Sequence, residues 1–166
     1  MALGLSFAKS ARQNSTTEPI RKREATWKSG WGGSVYLDTD PVLALLKSDD
    51  WLSSAVDLET IADPKTSVAT AIEVQYVMED DWTREQLSKS HLRIADEGID
   101  LTPLTVDVMD AAGKLRRAYD SLNIFDAVHL GTAYTLEEPI VSTDSLYPEI
   151  TEVEHVDPRD LKTGGQ

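Results

Sequence analysis

The sequence predicts an α/β protein with helices on both faces of a mostly parallel sheet. Short apolar runs that suit buried strands alternate along the chain with segments whose apolar residues recur every three or four positions. Because strands that alternate with helices are joined by right-handed crossovers, they pair in parallel. A length of 166 residues, 40% of them hydrophobic, suits one compact domain with an appendage.

The first half of the predicted domain contains two strands and three helices. Pro41 opens the first helix, where its missing N–H has no helical partner, and the pair Asp63-Pro64 ends the second. In chain order we predict a strand over 34–38, a helix from residue 41, a helix over 51–61, a strand over 66–70 and a helix over 71–78.

The second half contains three helices and three strands. Thr105 and Asn123 are suited to cap helices, and Gly98 is suited to end one. In chain order we predict a helix over 83–97, a strand over 99–104, helices over 106–120 and 124–136, and strands over 139–143 and 152–156.

Charge divides the chain near residue 33. Residues 1–33 hold six basic and two acidic side chains, which leaves ten basic and 27 acidic ones for the remainder. We interpret 1–33 as a disordered basic extension, because it lacks an apolar period and ends in Gly30, Gly32 and Gly33, and we place the folded domain at 34–163. The basic cluster either contacts nucleic acid or belongs to an extension without a role in binding.

The acidic remainder has two explanations. Either its partner is basic, or the chain works at high salt, where surface carboxylates stay hydrated and their repulsion is screened. The scarcity of lysine in this part favours a salt-adapted chain.

The absence of cysteine excludes disulfides, thiolate zinc sites and a cysteine nucleophile. Without an apolar stretch of about 18 residues or a signal pattern, we expect no membrane span and a cytoplasmic location.

Four acids stand in positions that an ordinary surface carboxylate does not occupy. Asp38 and Asp144 end predicted strands, at the edge of a parallel sheet where functional sites lie. Glu73 and Asp126 have apolar neighbours on both sides. Carboxylates in such places are costly unless a cation binds them, and oxygen ligands suit Mg²⁺ or Mn²⁺. Metal-assisted phosphodiester hydrolysis is the reaction that this set predicts.

Each acid also has a structural interpretation. Asp38 is suited to cap the next helix, and Glu73 is suited to pair with an arginine. Asp126 is suited to interact with the helix dipole from the first turn of its helix. Ser142 and Thr143 are suited either to orient a carboxylate or attacking water, or to cap a helix.

The four acids with their local settings resemble the PIN-domain nucleases, in particular the VapC-type ribonuclease toxins of type II toxin–antitoxin pairs. The resemblance extends from Val35 to Leu161. The segments that carry it are 36–40 (YLDTD), 67–73 (SVATAIE), 125–133 (FDAVHLGTA) and 140–144 (IVSTD). Each motif is weak alone, whereas their order and spacing are fairly specific.

The resemblance implies a three-layer α/β/α fold and a magnesium- or manganese-dependent endoribonuclease. It also implies a homodimer, an RNA substrate and inhibition by a cognate antitoxin. Carried over to this sequence, the metal-binding catalytic acids are Asp38, Glu73, Asp126 and Asp144. The sequence departs from the family at Asp40, where Ser or Asn is common, and this carboxylate either joins the metal shell through water or points into the helix cap. We expect His129 to pack against the sheet rather than to act in catalysis.

Two other functions remain open. The segment LDTDPV at 37–42 also matches the Asp-x-Asp signature of haloacid-dehalogenase-like phosphatases, in which Asp38 is the nucleophile and Asp40 the general acid. A binding module with a degenerate site is the second alternative. For an antitoxin helix we predict a groove on the early helices, around Leu43, Leu46, Trp51 and Leu52, although such residues also suit a core.

Overall fold

The computed structural model describes residues 19–20, 33–47, 50–56 and 58–162. The strands are β1 Ser34–Leu37, β2 Asp63–Ser67, β3 Asp100–Thr102, β4 Ile140–Val141 and β5 His155–Val156. They form one sheet in the order β3-β2-β1-β4-β5, and all four neighbouring pairs are parallel. The sheet confirms the predicted α/β class with parallel pairing.

Six α-helices surround the sheet in the described part of the chain. They are α1 Thr39–Leu46, α2 Val68–Val77, α3 Arg84–Ser88, α4 Ser90–Asp96, α5 Val106–Ala118 and α6 Ile124–Leu136. Short 3₁₀ helices cover Trp51–Ser54, Leu58–Thr60, Tyr147–Glu149 and Pro158–Lys162. None of the described helices is long and apolar enough to cross a membrane.

The central strand β1 divides the core into two halves. Successive strand residues point to opposite faces of a sheet. Tyr36 accordingly packs with Leu115 and Leu130 on the side of α5 and α6. Val35 and Leu37 pack on the other side, in the cluster that contains Val74 of α2 and Ile94 of α4. The two faces of β1 therefore give the three layers of the fold.

Helices α5 and α6 match their predicted positions closely. The side chain of Thr105 accepts a hydrogen bond from Val108 N at 3.3 Å, and that of Asn123 accepts one from Asp126 N at 3.0 Å. Both caps satisfy backbone N–H groups that a helix start leaves unpaired. Helix α5 ends at Ala118, two residues before the predicted end.

The strand predicted over 66–70 is wrong in its bounds. The strand is Asp63–Ser67, and residues 68–70 already belong to α2. The side chain of Ser67 accepts a hydrogen bond from Ala69 N and so begins the helix. Pro64 is tolerated in β2 because pairing with β3 begins only at Lys65.

Two predicted helices are interrupted. The helix predicted over 51–61 is instead a pair of short 3₁₀ turns. The helix predicted over 83–97 breaks at Lys89 into α3 and α4. At that break the buried Ser90 donates to Ala71 O and accepts from Gln75, so a tertiary contact with α2 competes with a continuous helix. Gly98 ends α4 with a φ of 81°, as predicted.

Most of the proposed basic extension lies outside the described residues. Of its described residues, Ile20 packs against the core beside α5 and α6.

The three strands predicted in the second half are present but shorter, at Asp100–Thr102, Ile140–Val141 and His155–Val156.

Candidate active site

The carboxyl ends of β1 and β4 hold two of the four predicted acids. Asp38 directly follows β1 and is buried, and Asp144 follows β4 in a turn where its Oδ1 accepts a hydrogen bond from Leu146 N. Asp126 lies in the first turn of α6. Glu73 lies in the middle of α2. The topology thus brings elements far apart in the chain to one end of the sheet.

Both oxygens of Asp38 are held in place. Its Oδ1 accepts a hydrogen bond from Thr39 N at 2.8 Å, so the side chain caps α1. Its Oδ2 accepts one from Ser142 Oγ at 2.8 Å. The capping interpretation of Asp38 is therefore correct, and it does not exclude the functional one, because the cap fixes the orientation of the carboxylate at the sheet edge.

Asp126, Asp144 and Asp38 lie close enough for their charges to interact. Burial, followed by the negative charges of Asp144 and Asp38, raises the pKa of Asp126 above its ordinary value. The same three aspartates also act on the pKa of Tyr147. Burial raises the pKa of its hydroxyl far above the ordinary value, and the charges of Asp38, Asp126 and Asp144 raise it further. The three aspartates therefore form one negatively charged cluster beside a buried tyrosine.

Glu73 is held by two side chains from other elements. Its Oε2 accepts a hydrogen bond from His129 Nε2 at 2.5 Å and another from Thr39 Oγ1 at 2.5 Å. Burial raises the pKa of Glu73, but the His129 and Thr39 contacts lower it by more, so the side chain is ionised at neutral pH. The partner of Glu73 is thus a histidine and not an arginine.

His129 lies buried between two of the acids. Its Nε2 lies 3.6 Å from Asp38 Oδ1, and its Nδ1 lies 2.7 Å from the Oη of Tyr36. Burial lowers the pKa of His129, but Tyr36, Glu73 and Asp38 raise it well above its ordinary value. In the charged form both ring nitrogens donate, to Glu73 and to Tyr36, whose hydroxyl donates to Ser67. The ring is buried against the sheet, as expected, and it also positions Glu73.

Asp40 is anchored to the end of β4. Its Oδ2 accepts hydrogen bonds from Thr143 N, at 2.9 Å, and from Thr143 Oγ1. Ser142 Oγ lies 3.4 Å from its other oxygen. Burial and the neighbouring charge of Asp38 raise the pKa of Asp40, although the Thr143 contacts oppose this. The carboxylate joins α1 to the β4 loop, a role that neither sequence interpretation of Asp40 contained.

The acids fit a hard divalent cation in donor type and charge. The charges of Asp144 and Asp38 help to raise the pKa of Asp126. Among the residues described, His129 is the one basic side chain that contacts any of the four acids, and it contacts Asp38 and Glu73. Carboxylate oxygens are the ligands that Mg²⁺ and Mn²⁺ prefer. In the described ranges no three histidine or carboxylate side chains converge closely enough to hold an ion. Glu73 instead contacts His129 and Thr39.

Sequence reasoning missed Thr39 and Tyr147. Thr39 follows Asp38 directly, and a hydroxyl next to a candidate ligand is a signal that could have found it. Tyr147 follows Asp144 by three residues, and nothing in its local sequence indicates that the ring faces the acids. The suggestion that Ser142 orients a carboxylate is confirmed by its bond to Asp38.

The early helices contribute more to the core than to a groove. Leu52 is buried with Ala44 and Val56, and Leu43 and Leu46 are partly buried against the core on the α2 side. The side chain of Trp51 lies outside the described part of the structure. An antitoxin groove at these positions stays a prediction.

Comparison with known proteins gives one family and a consistent set of folds. A sequence model described as "PIN domain" matches residues 35–153. No curated protein sequence matches the chain. A structure described as a toxin-antitoxin complex from Klebsiella pneumoniae is similar with a TM-score of 0.59 and 20% identity, over 75% of this chain and 97% of that one.

Two further solved structures have the same fold at low identity. One is described as VapBC2 from Rickettsia felis bound to a DNA fragment from its promoter, with a TM-score of 0.59, 16% identity, and coverage of 74% of this chain and 97% of that one. The other is VapBC-5 from Mycobacterium tuberculosis, with a TM-score of 0.52, 17% identity, and coverage of 74% and 97%.

Proposed function

This chain belongs to the PIN domain family, and from that membership we propose that it is a divalent-metal-dependent endoribonuclease, the toxin of a type II toxin–antitoxin pair. The observation that carries the proposal is the cluster of Asp38, Asp126 and Asp144, whose negative charges act on one another at the carboxyl end of a parallel sheet. Carboxylates are the ligands that a hard cation prefers, and a cation drawn in among these three aspartates would in turn hold a phosphodiester. The site of action is the cytoplasm.

Mg²⁺ or Mn²⁺ bound by Asp38, Glu73, Asp126 and Asp144 would lower the pKa of a water and neutralise charge on the phosphate. The remaining contribution comes from side chains that orient these acids. Ser142 holds one oxygen of Asp38, and Thr39 and His129 hold one oxygen of Glu73. Because these contacts fix the orientation of the acids, they lower the cost of assembling the site.

The antitoxin and a second copy of the chain are the proposed protein partners. Of the solved structures with this fold, one is described as a toxin-antitoxin complex and another as a member of a family of toxin-antitoxin systems. Helix α2 carries an exposed apolar stripe of Val68, Ile72 and Tyr76, whose spacing of four residues places them on one face. Exposed apolar side chains in a row are typical of interfaces. Size-exclusion chromatography with light scattering of Ile72→Lys tests whether this face holds a homodimer.

The decisive experiment is cleavage of a single-stranded RNA in the presence of Mn²⁺. We expect the unchanged chain to produce internal cuts, and Asp126→Asn to reduce the rate by about 10²-fold or more. Asp96→Asn is the matched control, because Asp96 is an exposed acid of α4 and the charge change is the same. Intact RNA with the unchanged chain and Mn²⁺ would overturn the proposal.

The phosphatase alternative has a different signature. It requires release of inorganic phosphate from a monoester and a free Asp40 as general acid. In this structure Asp40 is bound by both the backbone N–H and the hydroxyl of Thr143. We therefore expect no phosphate release from a monoester, and a smaller loss of RNA cleavage in Asp40→Asn than in Asp38→Asn.

The non-catalytic alternative is tested in cells. If the chain acts by binding alone, growth arrest on expression persists in Asp38→Asn and Asp126→Asn. We expect both substitutions to abolish the arrest, because each removes a charge from the cluster that holds the cation.

A further inference from the structure

A cavity of about 420 Å³ opens where α5 turns into α6, outside the acidic cluster. Met109, Gly113, Arg116 and Arg117 line it from α5, and Leu122 and Ile124 line it from the turn and from α6. Asp120 also lines it, so the two arginines leave an excess of one positive charge. This is a basic concave surface on a chain whose net charge is −13.

The two arginines are available to a ligand. Four other cations are engaged by carboxylates, namely Lys65, Lys89, Lys114 and Arg159, and Arg93 lies over the ring of Trp82. Arg117 is exposed and forms no ion pair with any residue of the described ranges. Arg116 Nε donates to Leu122 O at 3.4 Å, which holds the guanidinium at the turn. Its other N–H groups bind no acceptor within the described part of the chain, so they can donate to a ligand.

An apolar wall lies beside the arginines. Met109 and Ile124 are each about half exposed, at 46% and 45%. Arginine next to exposed apolar side chains suits a single nucleic-acid strand, because the guanidinium contacts a phosphate and the apolar surface contacts a base.

The cavity and Asp126 share the first turn of α6. Ile124, which lines the cavity, lies roughly 3 Å from Asp126 along the helix axis, at a rise of about 1.5 Å per residue, but residues two apart project from different sides of a helix. A strand bound in the cavity must therefore pass around the start of α6 to reach Asp126. The arginines also offset the repulsion that the acidic surface exerts on an approaching phosphate backbone.

Gly113 keeps the cavity open. It lies inside α5, where glycine costs about 0.5–1 kcal/mol relative to alanine. A Cβ at this position would meet no atom within 4 Å, so packing does not require the glycine. The space that its missing side chain leaves belongs to the cavity.

We propose that this cavity is a binding subsite for the RNA strand, in which Arg116 and Arg117 bind a phosphate and Met109 and Ile124 contact the adjacent base. The proposal rests on the ribonuclease function proposed above. It adds a place where the strand is held beside the acids, so it predicts effects on affinity and not on the chemical step.

The first test measures binding of a short single-stranded RNA to the full chain carrying Asp126→Asn, which prevents cleavage. We expect Arg116→Gln with Arg117→Gln to weaken binding about tenfold, and to reduce the slope of log K against log salt by about 0.7 for each phosphate that the chain no longer neutralises. Arg84→Gln is the matched control, because Arg84 lines a separate cavity between α2 and α3. An equal loss in the control would overturn the proposal.

The second test fills the cavity without a change of charge. Gly113→Leu places a large side chain into the cavity. Gly113→Ala also removes the cost of a glycine inside the helix, but its methyl group does not fill the cavity. We expect both variants to unfold at a higher temperature than the parent, and only Gly113→Leu to weaken RNA binding. Unchanged RNA binding in Gly113→Leu would exclude the subsite, whereas a misfolded protein would be recognised by its lower unfolding temperature.

The outcome separates the two proposals. If the parent cleaves RNA, and its KM is unchanged both in Arg116→Gln with Arg117→Gln and in Gly113→Leu, the ribonuclease function holds and the subsite does not exist. If the parent does not cleave RNA, the ribonuclease proposal fails by itself, and the binding measurements still decide on the subsite. Binding of an acidic peptide is measured in parallel. If Arg116→Gln with Arg117→Gln loses binding to this peptide but binds RNA as the parent does, the cavity is a protein-docking surface and the RNA subsite is overturned.

Discussion

His129 Nε2 lies 2.5 Å from Glu73 Oε2, although the two residues are 56 positions apart in the chain. The contact joins α6 to α2 beneath the acidic cluster, and Thr39 adds α1 through its own bond to the same oxygen. The imidazole therefore fixes a carboxylate that we propose as a metal ligand. The same nitrogen lies 3.6 Å from Asp38 Oδ1, and Asp38 is one of the two aspartates whose charges act on Asp126.

Substitution of His129 should destabilise the protein. His129→Ala leaves Glu73 with Thr39 alone and removes the ring partner of the Tyr36 hydroxyl. We expect the free energy of unfolding in urea to fall by about 3 kcal/mol. In a double-mutant cycle with Glu73→Gln the coupling should be about 1–3 kcal/mol. Additive losses would show that the two side chains stabilise the fold independently.

Asp126→Asn should lose activity and gain stability. Burial and the charges of Asp144 and Asp38 make the ionised Asp126 costly. Removal of its charge should raise the free energy of unfolding by about 0.5–1 kcal/mol while RNA cleavage is lost. Thermal unfolding of this variant beside Asp96→Asn checks the expectation. A drop in stability would mean that Asp126 is a structural residue.

Divalent ions should stabilise the folded chain. An ion that binds only the folded state adds about 2.7 kcal/mol when its concentration is a hundred times its Kd. We expect Mn²⁺ to raise the unfolding temperature of the parent, and Asp126→Asn with Asp144→Asn to abolish most of the increase. A chelator should stop RNA cleavage. An equal increase in the double variant would place the ion elsewhere.

Gly131 should tolerate no side chain. A Cβ there would lie 2.9 Å from Ala112 N and 2.9 Å from Val108 O, because α5 and α6 approach each other at this residue. Gly131→Ala must displace backbone, and we expect it to lower the free energy of unfolding by about 1–3 kcal/mol. Gly113→Ala, on the solvent side of α5, should raise it by about 0.5–1 kcal/mol. Chemical denaturation of both variants tests the pair.

Salt should stabilise this protein. The net charge of −13 opposes the compact state, and the Debye length falls from about 10 Å at 0.1 M to about 3 Å at 1 M salt. We expect the unfolding temperature to rise steadily over this range of KCl. A flat or falling temperature would favour the other explanation of the acidic surface, which is a basic partner.

Local sequence was sufficient for helices whose ends are capped by their own neighbours. Thr105 and Asn123 lie next to the helices that they begin, so their bonds need no tertiary information. The break at Lys89 and the start of β2 were not predictable in this way. Ser90 interrupts its helix to contact α2, and Asp63 and Pro64 become strand residues only because β1 lies beside them.

The sequence by itself determined that strands alternate with helices, that apolar residues line both faces of the sheet, and that acids follow β1 and β4. These features depend on residue type and spacing within a few positions. Only the tertiary structure decided that His129 is the partner of Glu73, that Ser142 holds Asp38, and that Tyr147 faces the aspartates. Those contacts arise when strands far apart in the chain pair in one register, because their carboxyl ends then meet at a common edge.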